Sequence, residues 1–127
     1  MNNRRSFIVG IKSTKLSLLE KKFLKKYKPW GVILFSRNIK DIKQTSKLTN
    51  SIRRIFKDNK YPILIDQEGG RVNRLKNILS FDNLTSEFFG KKYINDLKKF
   101  KIFYKLFVDK TSYILKSIGA NINTSPI

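Results

Sequence analysis

Apolar residues along the chain fall into two kinds of pattern, short unbroken runs and longer stretches with helical spacing, and the two alternate. Residues 5–11, rich in β-branched and aromatic side chains, predict a first strand that ends at Lys12. Ser17 followed by Glu20 has capping-box spacing. Leu18, Leu19, Phe23, Leu24 and Tyr27 then recur on one helical face, and Pro29 stops the helix soon after. Residues 31–35, Gly-Val-Ile-Leu-Phe, predict a second buried strand, closed by Ser36, Arg37 and Asn38. Asp41 and Gln44 repeat the capping signal, and Ile42, Thr45, Leu48, Ile52, Ile55 and Phe56 form the stripe of a second helix ending near Lys57. The third strand is Ile63, Leu64 and Ile65, with no polar alternation, as in a parallel strand covered on both faces. This β-α-β-α-β order predicts parallel strands joined by right-handed crossovers.

Beyond Arg74 the pattern weakens, and residues 75–85 read as a loop over the strand ends. From Asp96 the helical period returns, with Leu97, Phe100, Phe103, Tyr104, Phe107, Val108, Thr111, Ile114, Leu115 and Ile118 on one face of a helix of about 20 or more residues. An aromatic stripe of this kind is expected to be core. Gly119 stands at the C-cap, and residues 120–125 begin a fourth strand. The expected architecture is α/β, one domain over residues 1–127 with an open sheet edge at either side.

The chemistry is concentrated at residues 61–74. The third strand stops at Asp66, Gln67 and Glu68, Gly69 and Gly70 allow a sharp turn, and Arg71 and Arg74 follow within reach of the carboxylates. Carboxyl ends of parallel strands are where α/β folds place ligands. Asp66 and Glu68 would lie about 6–7 Å apart on an extended segment, near the spacing of a retaining glycosidase pair. Nothing in their surroundings would raise one pKa, however, so a self-sufficient acid/base pair is rejected. A phosphate loop fails on pattern, since neither G-x-G-x-x-G nor G-K-[ST] occurs.

Composition adds exclusions. The sequence contains no cysteine and no histidine, which removes disulfides, thiolate metal sites and the commonest general base. Neither metal nor cofactor is expected. No run approaches the roughly 20 apolar residues of a membrane span, and the chain is read as cytoplasmic. A net charge of +19 suggests a phosphate-bearing partner. Its lysines are scattered along the sequence, and with the abundant isoleucine and asparagine they match what an A+T-rich coding sequence produces, which argues against nucleic acid.

Residues 31–38 (Gly-Val-Ile-Leu-Phe-Ser-Arg-Asn), 66–74 (Asp-Gln-Glu-Gly-Gly-Arg-Val-Asn-Arg) and 119–126 (Gly-Ala-Asn-Ile-Asn-Thr-Ser-Pro), at these separations, resemble the N-terminal part of glycoside hydrolase family 3, in particular its bacterial β-N-acetylhexosaminidases of cell-wall recycling. The resemblance implies a partial (β/α)8 barrel: roughly the first four strands with three connecting helical segments. It implies that Asp66 and Arg74 hydrogen-bond hydroxyls of a terminal N-acetylglucosamine. Gln67, Glu68, Gly69, Gly70 and Arg71 would shape the motif, and Arg37 and Asn38 would support it from the neighbouring strand end.

The family's nucleophilic aspartate and its histidine-containing acid/base loop lie later in the barrel. The resemblance therefore implies no catalytic residue within these 127 residues and no hydrolysis by them alone. The partner expected is an N-acetylglucosamine-containing saccharide, with self-association through the open barrel edges. The alternatives are a noncatalytic basic module that binds nucleic acid or an anionic polymer through its lysines, and a non-functional remnant.

Overall fold

The capping box read from Ser17 and Glu20 forms: Ser17 Oγ accepts from the Glu20 amide at 3.1 Å and the Glu20 carboxylate accepts from the Ser17 amide at 2.8 Å. It starts α1, Leu18–Tyr27, which follows strand β1, Arg5–Gly10. The chain is described by a computed structural model over residues 3–125. β2, Pro29–Leu34, leads through a 3-10 turn at Ser36–Asn38 into α2, Ile42–Phe56, and then β3, Ile63–Ile65. α3, Ser86–Asn95, and α4, Leu97–Ile118, precede β4, Ile122–Asn123.

The four strands form one sheet in the order β1-β2-β3-β4, every neighbouring pair parallel. Leu34 stands beside Ile65, and Ile65 beside Asn123, so the strand ends line up along one rim. Sequential order with helical crossovers is the arrangement of a (β/α) barrel opened between its first and fourth strands. Both expected open edges are present, at β1 and β4. The core joins Val32, Leu34, Ile63 and Ile65 of the central strands to Leu48 and Ile52 of α2 and to Ile114 and Ile118 of α4. At the opposite end of β3, Tyr61 stacks on Phe56 with ring centroids 3.9 Å apart and donates its hydroxyl to the Pro29 carbonyl at 2.8 Å.

Several expectations need correction. β1 is not a buried strand: as an edge it is largely exposed, Ile8 included. On α1 only Leu24 is buried, while Leu18 and Leu19 are 75% and 79% exposed. The long aromatic stripe of α4 is core only at its C-terminal end, through Thr111, Ile114, Leu115 and Ile118. Leu97, Phe103, Tyr104 and Val108 are exposed because the sheet reaches only the last turns of the helix. The third connection also contains two helices where one was expected. α3 is short, and Gly90 interrupts its period. Its start is nevertheless encoded by Thr85, whose Oγ1 accepts from the Phe88 amide at 3.0 Å. Asp96 then closes α3 and caps α4, accepting from Lys99 N at 2.9 Å. β4 itself spans two residues rather than six.

Candidate functional site

Asp66 is the first residue beyond β3, on the rim where the parallel strands end. Arg74 meets it with both arms of its fork, Nε donating to Oδ1 at 2.7 Å and Nη2 to Oδ2 at 2.6 Å. Both side chains are about one-quarter exposed, so the pair is accessible without being freely hydrated. Two parallel charge-assisted bonds fix the plane of each group and leave the second guanidinium amine and the outer carboxylate lone pairs free for a ligand.

Seven residues separate the partners, and the turn between them is built from backbone. Glu68 N and Gly69 N both donate to the Val72 carbonyl, at 3.1 and 3.3 Å, and Val72 N returns a bond to Gly69 O at 3.3 Å. The reversal uses positive φ at Gly69 (90°) and Gly70 (57°). A Cβ on Gly69 would lie 2.4 Å from the Leu84 carbonyl oxygen, so glycine is required there by both conformation and space. Residues 81–85 thus press directly on the turn, and Gly70 N donates to Phe81 O at 3.0 Å.

Gln67 ties the turn together from beneath. It is 1% exposed, and its Oε1 accepts from Arg74 N at 2.8 Å and Leu75 N at 3.0 Å. Its Nε2 donates to Asn73 Oδ1 at 3.2 Å, Asn73 donates to Asp82 at 3.0 Å, and Ser80 Oγ donates to the other Asp82 oxygen at 2.6 Å. On its backbone side, Gln67 N donates to Asn123 Oδ1 and Gln67 O accepts from Asn123 Nδ2, at 3.0 and 3.2 Å. Gln67 therefore holds the base of Arg74 through its buried side-chain amide and the end of β4 through its backbone.

The neighbouring strand end contributes a platform. The Phe35 ring lies under two guanidinium groups, Arg37 at 4.6 Å and Arg74 at 5.4 Å from its centroid, within cation–π range. Arg37 Nε donates to Ile11 O at 3.0 Å. Fully buried Asn38 accepts from Phe35 N at 2.9 Å and donates to Ile11 O and Ser13 O at 3.1 and 3.0 Å, tying the ends of β1 and β2 together. Sequence reading placed Asp66, Arg74, Gln67, Arg37 and Asn38 near one rim, and they meet there. It missed Phe35, Asn73 and Asp82 as parts of the arrangement. Asn73 stands inside the 66–74 motif without a role of its own there, and nothing local in the sequence pairs it with Asp82. Glu68 and Arg71 were expected beside the pair. Both side chains are exposed, and neither forms an ion pair among the described residues.

The hydrogen bonds from Arg74 hold the Asp66 carboxyl below the usual aspartate range, and the same contact raises Arg74, so both shifts favour the ion pair. A depressed carboxylate adds stability above its unfolded pKa and loses it as pH falls through the folded value. Asp66→Asn is expected to lower unfolding free energy by about 1–2 kcal/mol at pH 7, discounted for solvent access. That difference should shrink steadily once pH falls below about 4. Urea titrations of both proteins at several pH values measure it, and a pH-independent gap would contradict it.

No family profile matches the sequence. A beta-hexosaminidase of Psychromonas ingrahamii is 39% identical over 72 residues, which is 57% of this chain and 21% of that protein. Native NagZ from Neisseria gonorrhoeae superposes with a TM-score of 0.79 at 25% identity, covering 97% of this chain and 36% of that one. The same protein in complex with N-trifluoroacetyl-D-glucosamine matches 60% of this chain and 22% of that one, at 32% identity and TM-score 0.52. A glycoside hydrolase family 3 β-N-acetylglucosaminidase from Paenibacillus sp. matches 59% of this chain and 15% of that one, at 29% identity and TM-score 0.53.

The fold defines the class: this is the α/β architecture of a (β/α)8 barrel, represented among the described residues by four parallel strands. Within that class, the chain is homologous to the N-terminal part of the glycoside hydrolase family 3 beta-hexosaminidases. It spans about a fifth of the length of the Psychromonas relative. No helix among the described residues is long and apolar enough to cross a membrane.

Proposed function

We propose that residues 1–127 form the N-terminal part of a family 3 catalytic barrel and supply the sugar-orienting half of a retaining β-N-acetylhexosaminidase site. The complete site would act on terminal N-acetylglucosamine of peptidoglycan-derived glycans. The observation that carries this reading is the bidentate Asp66–Arg74 pair on the strand-end rim. Its charges cancel internally, so the remaining donors and acceptors suit a neutral polyhydroxylated ligand better than an anion. A carboxylate can accept from two hydroxyls while the guanidinium offers a donor at fixed angle. The Phe35 ring keeps the guanidinium plane from rotating away. Support comes from the Neisseria protein solved with an N-acylated glucosamine.

The reading divides binding from chemistry. These 127 residues contain no histidine, so the family's histidine-dependent proton transfer requires groups outside them. The chain is therefore expected to bind N-acetylglucosamine weakly and to leave a chromogenic β-N-acetylglucosaminide unhydrolysed. In an NMR titration, Arg74→Ala should weaken N-acetylglucosamine binding at least tenfold, corresponding to about 1.4 kcal/mol. Equal affinity in wild type and Arg74→Ala would remove the site assignment.

One observation favours a second reading. The scattered lysines are partly gathered in space: Lys15, Lys21, Lys43 and Lys47 line a groove of about 480 Å³ between the β1–α1 segment and α2. Binding of an anionic polymer there would weaken steeply with salt. Sugar binding at the neutralised Asp66–Arg74 pair would not, so a salt series on each ligand separates the two.

A further inference from the structure

α4 carries a second apolar stripe, on the side opposite its core face. Thr111, Ile114, Leu115 and Ile118 are its buried residues. At about 100° per residue, Ile102, Leu106 and Tyr113 fall within about 40° of one another and roughly 150° from the centre of that buried face. They are 53%, 52% and 66% exposed, so nothing among the described residues covers them. The stripe is roughly 17 Å long. At the corner between α3 and α4, Ile94 adds an aliphatic side chain that is 82% exposed.

Lysines border this stripe on both sides. By the same helical geometry Lys98, Lys105 and Lys116 lie along one flank and Lys99 and Lys110 along the other. Lys91 and Lys92 of α3 extend the second border across a groove of about 470 Å³ between the two helices. The acidic residues of the hairpin are already engaged: Glu87 pairs with Lys91 at 2.5 Å, Asp96 with Lys99 at 3.2 Å and Asp109 with Lys105 at 2.8 Å. Lys92, Lys98, Lys110 and Lys116 form no ion pair among the described residues.

We propose that this outer face of α4, with the Lys91 and Lys92 border of α3, docks the chain on an anionic phospholipid bilayer, the helix lying parallel to the membrane surface. Binding energy between proteins is concentrated where large side chains fill pockets, whereas Ile102, Leu106 and Tyr113 stand on a convex ridge. Aliphatic side chains also offer nucleic-acid bases no stacking surface. A second copy of the chain is opposed by charge, since each copy carries +19. A bilayer meets the same face well. Its headgroup boundary deforms around a ridge, takes up Ile102 and Leu106, and holds the amphipathic Tyr113 ring at the interface. The flanking lysines lay their methylenes along the stripe and set their ammonium groups among anionic headgroups. The face lies away from Asp66 and Arg74, so it stands or falls separately from the sugar reading.

Vesicles of phosphatidylcholine in which about a third of the lipid is phosphatidylglycerol should carry the chain upward in a flotation gradient, and pure phosphatidylcholine vesicles should not. Overall charge alone would give that much, so two sets of variants isolate the face. Ile102→Ser with Leu106→Ser keeps every charge and should weaken vesicle binding at least tenfold. Lys98→Gln with Lys116→Gln should weaken it several-fold more than Lys43→Gln with Lys47→Gln, which removes the same charge from exposed positions on α2. The sequence contains no cysteine, so Leu106→Cys accepts a single environment-sensitive fluorophore. It should shift to the blue on the anionic vesicles and be quenched by nitroxide-labelled lipid. The same label at exposed Asn59→Cys, between Lys57 and Lys60, should do neither. N-acetylglucosamine binding should be unchanged throughout. Should the double serine variant lose its circular dichroism signal, the lysine pairs and the label decide. Equal vesicle binding by wild type and a folded double serine variant, equal losses from the two lysine pairs, or a label at Leu106→Cys that stays unquenched reduces the effect to overall charge and overturns the proposal. A glutamate-rich peptide whose binding depends on Ile102 and Leu106, when vesicle binding does not, assigns the face to an acidic protein and also overturns it.

Discussion

Gln67→Leu is expected to destabilise the chain by about 2–4 kcal/mol, because it orphans two buried amides at once. Arg74 N and Leu75 N both donate to Gln67 Oε1, and no other acceptor among the described residues serves either of them. Leucine matches the volume well enough that packing does not explain such a loss. The orphaned backbone can recover water only by opening the turn, and that would carry Arg74 away from Asp66. The urea midpoint should fall with the m-value unchanged. N-acetylglucosamine affinity should fall further than in Leu24→Ala, a cavity variant on α1 expected to lose a similar 2–4 kcal/mol without touching the rim. Equal sugar affinity in the two variants, under conditions where both are folded, would show that Gln67 is not what places Arg74.

Gly69→Ala is expected to have an effect of comparable size by a different route, about 3 kcal/mol or more. At φ 90° the added methyl is strained by the backbone itself, and it would point at the Leu84 carbonyl oxygen from 2.4 Å. Gly70, at φ 57°, sits in the left-handed region that L residues reach at lower cost, and its Cβ would meet a side-chain methyl, that of Thr85 at 2.8 Å, rather than backbone. Gly70→Ala should therefore cost clearly less, about 1–2 kcal/mol. The size of the gap between the two melting temperatures decides between conformational strain, which predicts a modest difference, and the carbonyl clash, which predicts a large one.

Both variants act on the segment where reading by pattern was most informative about place and least informative about contacts. An apolar run that halts at Asp66, followed by two glycines and two arginines, locates a turn at a strand end because each of those residue types has a local conformational consequence. The capping residues Ser17 and Asp41 and the terminator Gly119 are legible for the same reason: they act within one helical turn of their own position. Asp41 nevertheless differs in detail, since Gln44 Oε1 reaches the Lys40 amide rather than closing on Asp41 itself.

Burial could not be read in this way. Apolar period shows that a helix has a face, but whether that face is covered depends on how far the neighbouring sheet extends. Leu18 and Leu19 on α1 have the same pattern as Ile52 or Ile114 and differ in having no layer packed against them, while the aromatic half of α4 packs on Phe89 of the short α3 instead of on the sheet. The lysines show the converse. Lys15 and Lys21 lie close to each other in sequence, as do Lys43 and Lys47, but the two pairs are some 20–30 residues apart, and only the crossover that sets α2 beside the β1–α1 segment brings them around one groove.

Alone, the sequence determined the succession of parallel strands and crossover helices, the helix caps, the glycine turn and the presence of a carboxylate and a guanidinium at the end of β3. These follow from local spacing and from the conformational limits of individual residues. Tertiary structure decided that Asp66 and Arg74 meet as a bidentate pair, that Phe35 from the adjacent strand lies beneath the guanidinium, and that Gln67 binds three segments together. It also decided which apolar faces remain uncovered. Those outcomes depend on strand register and on contacts between residues distant in the chain, and a single sequence holds no local signal for either.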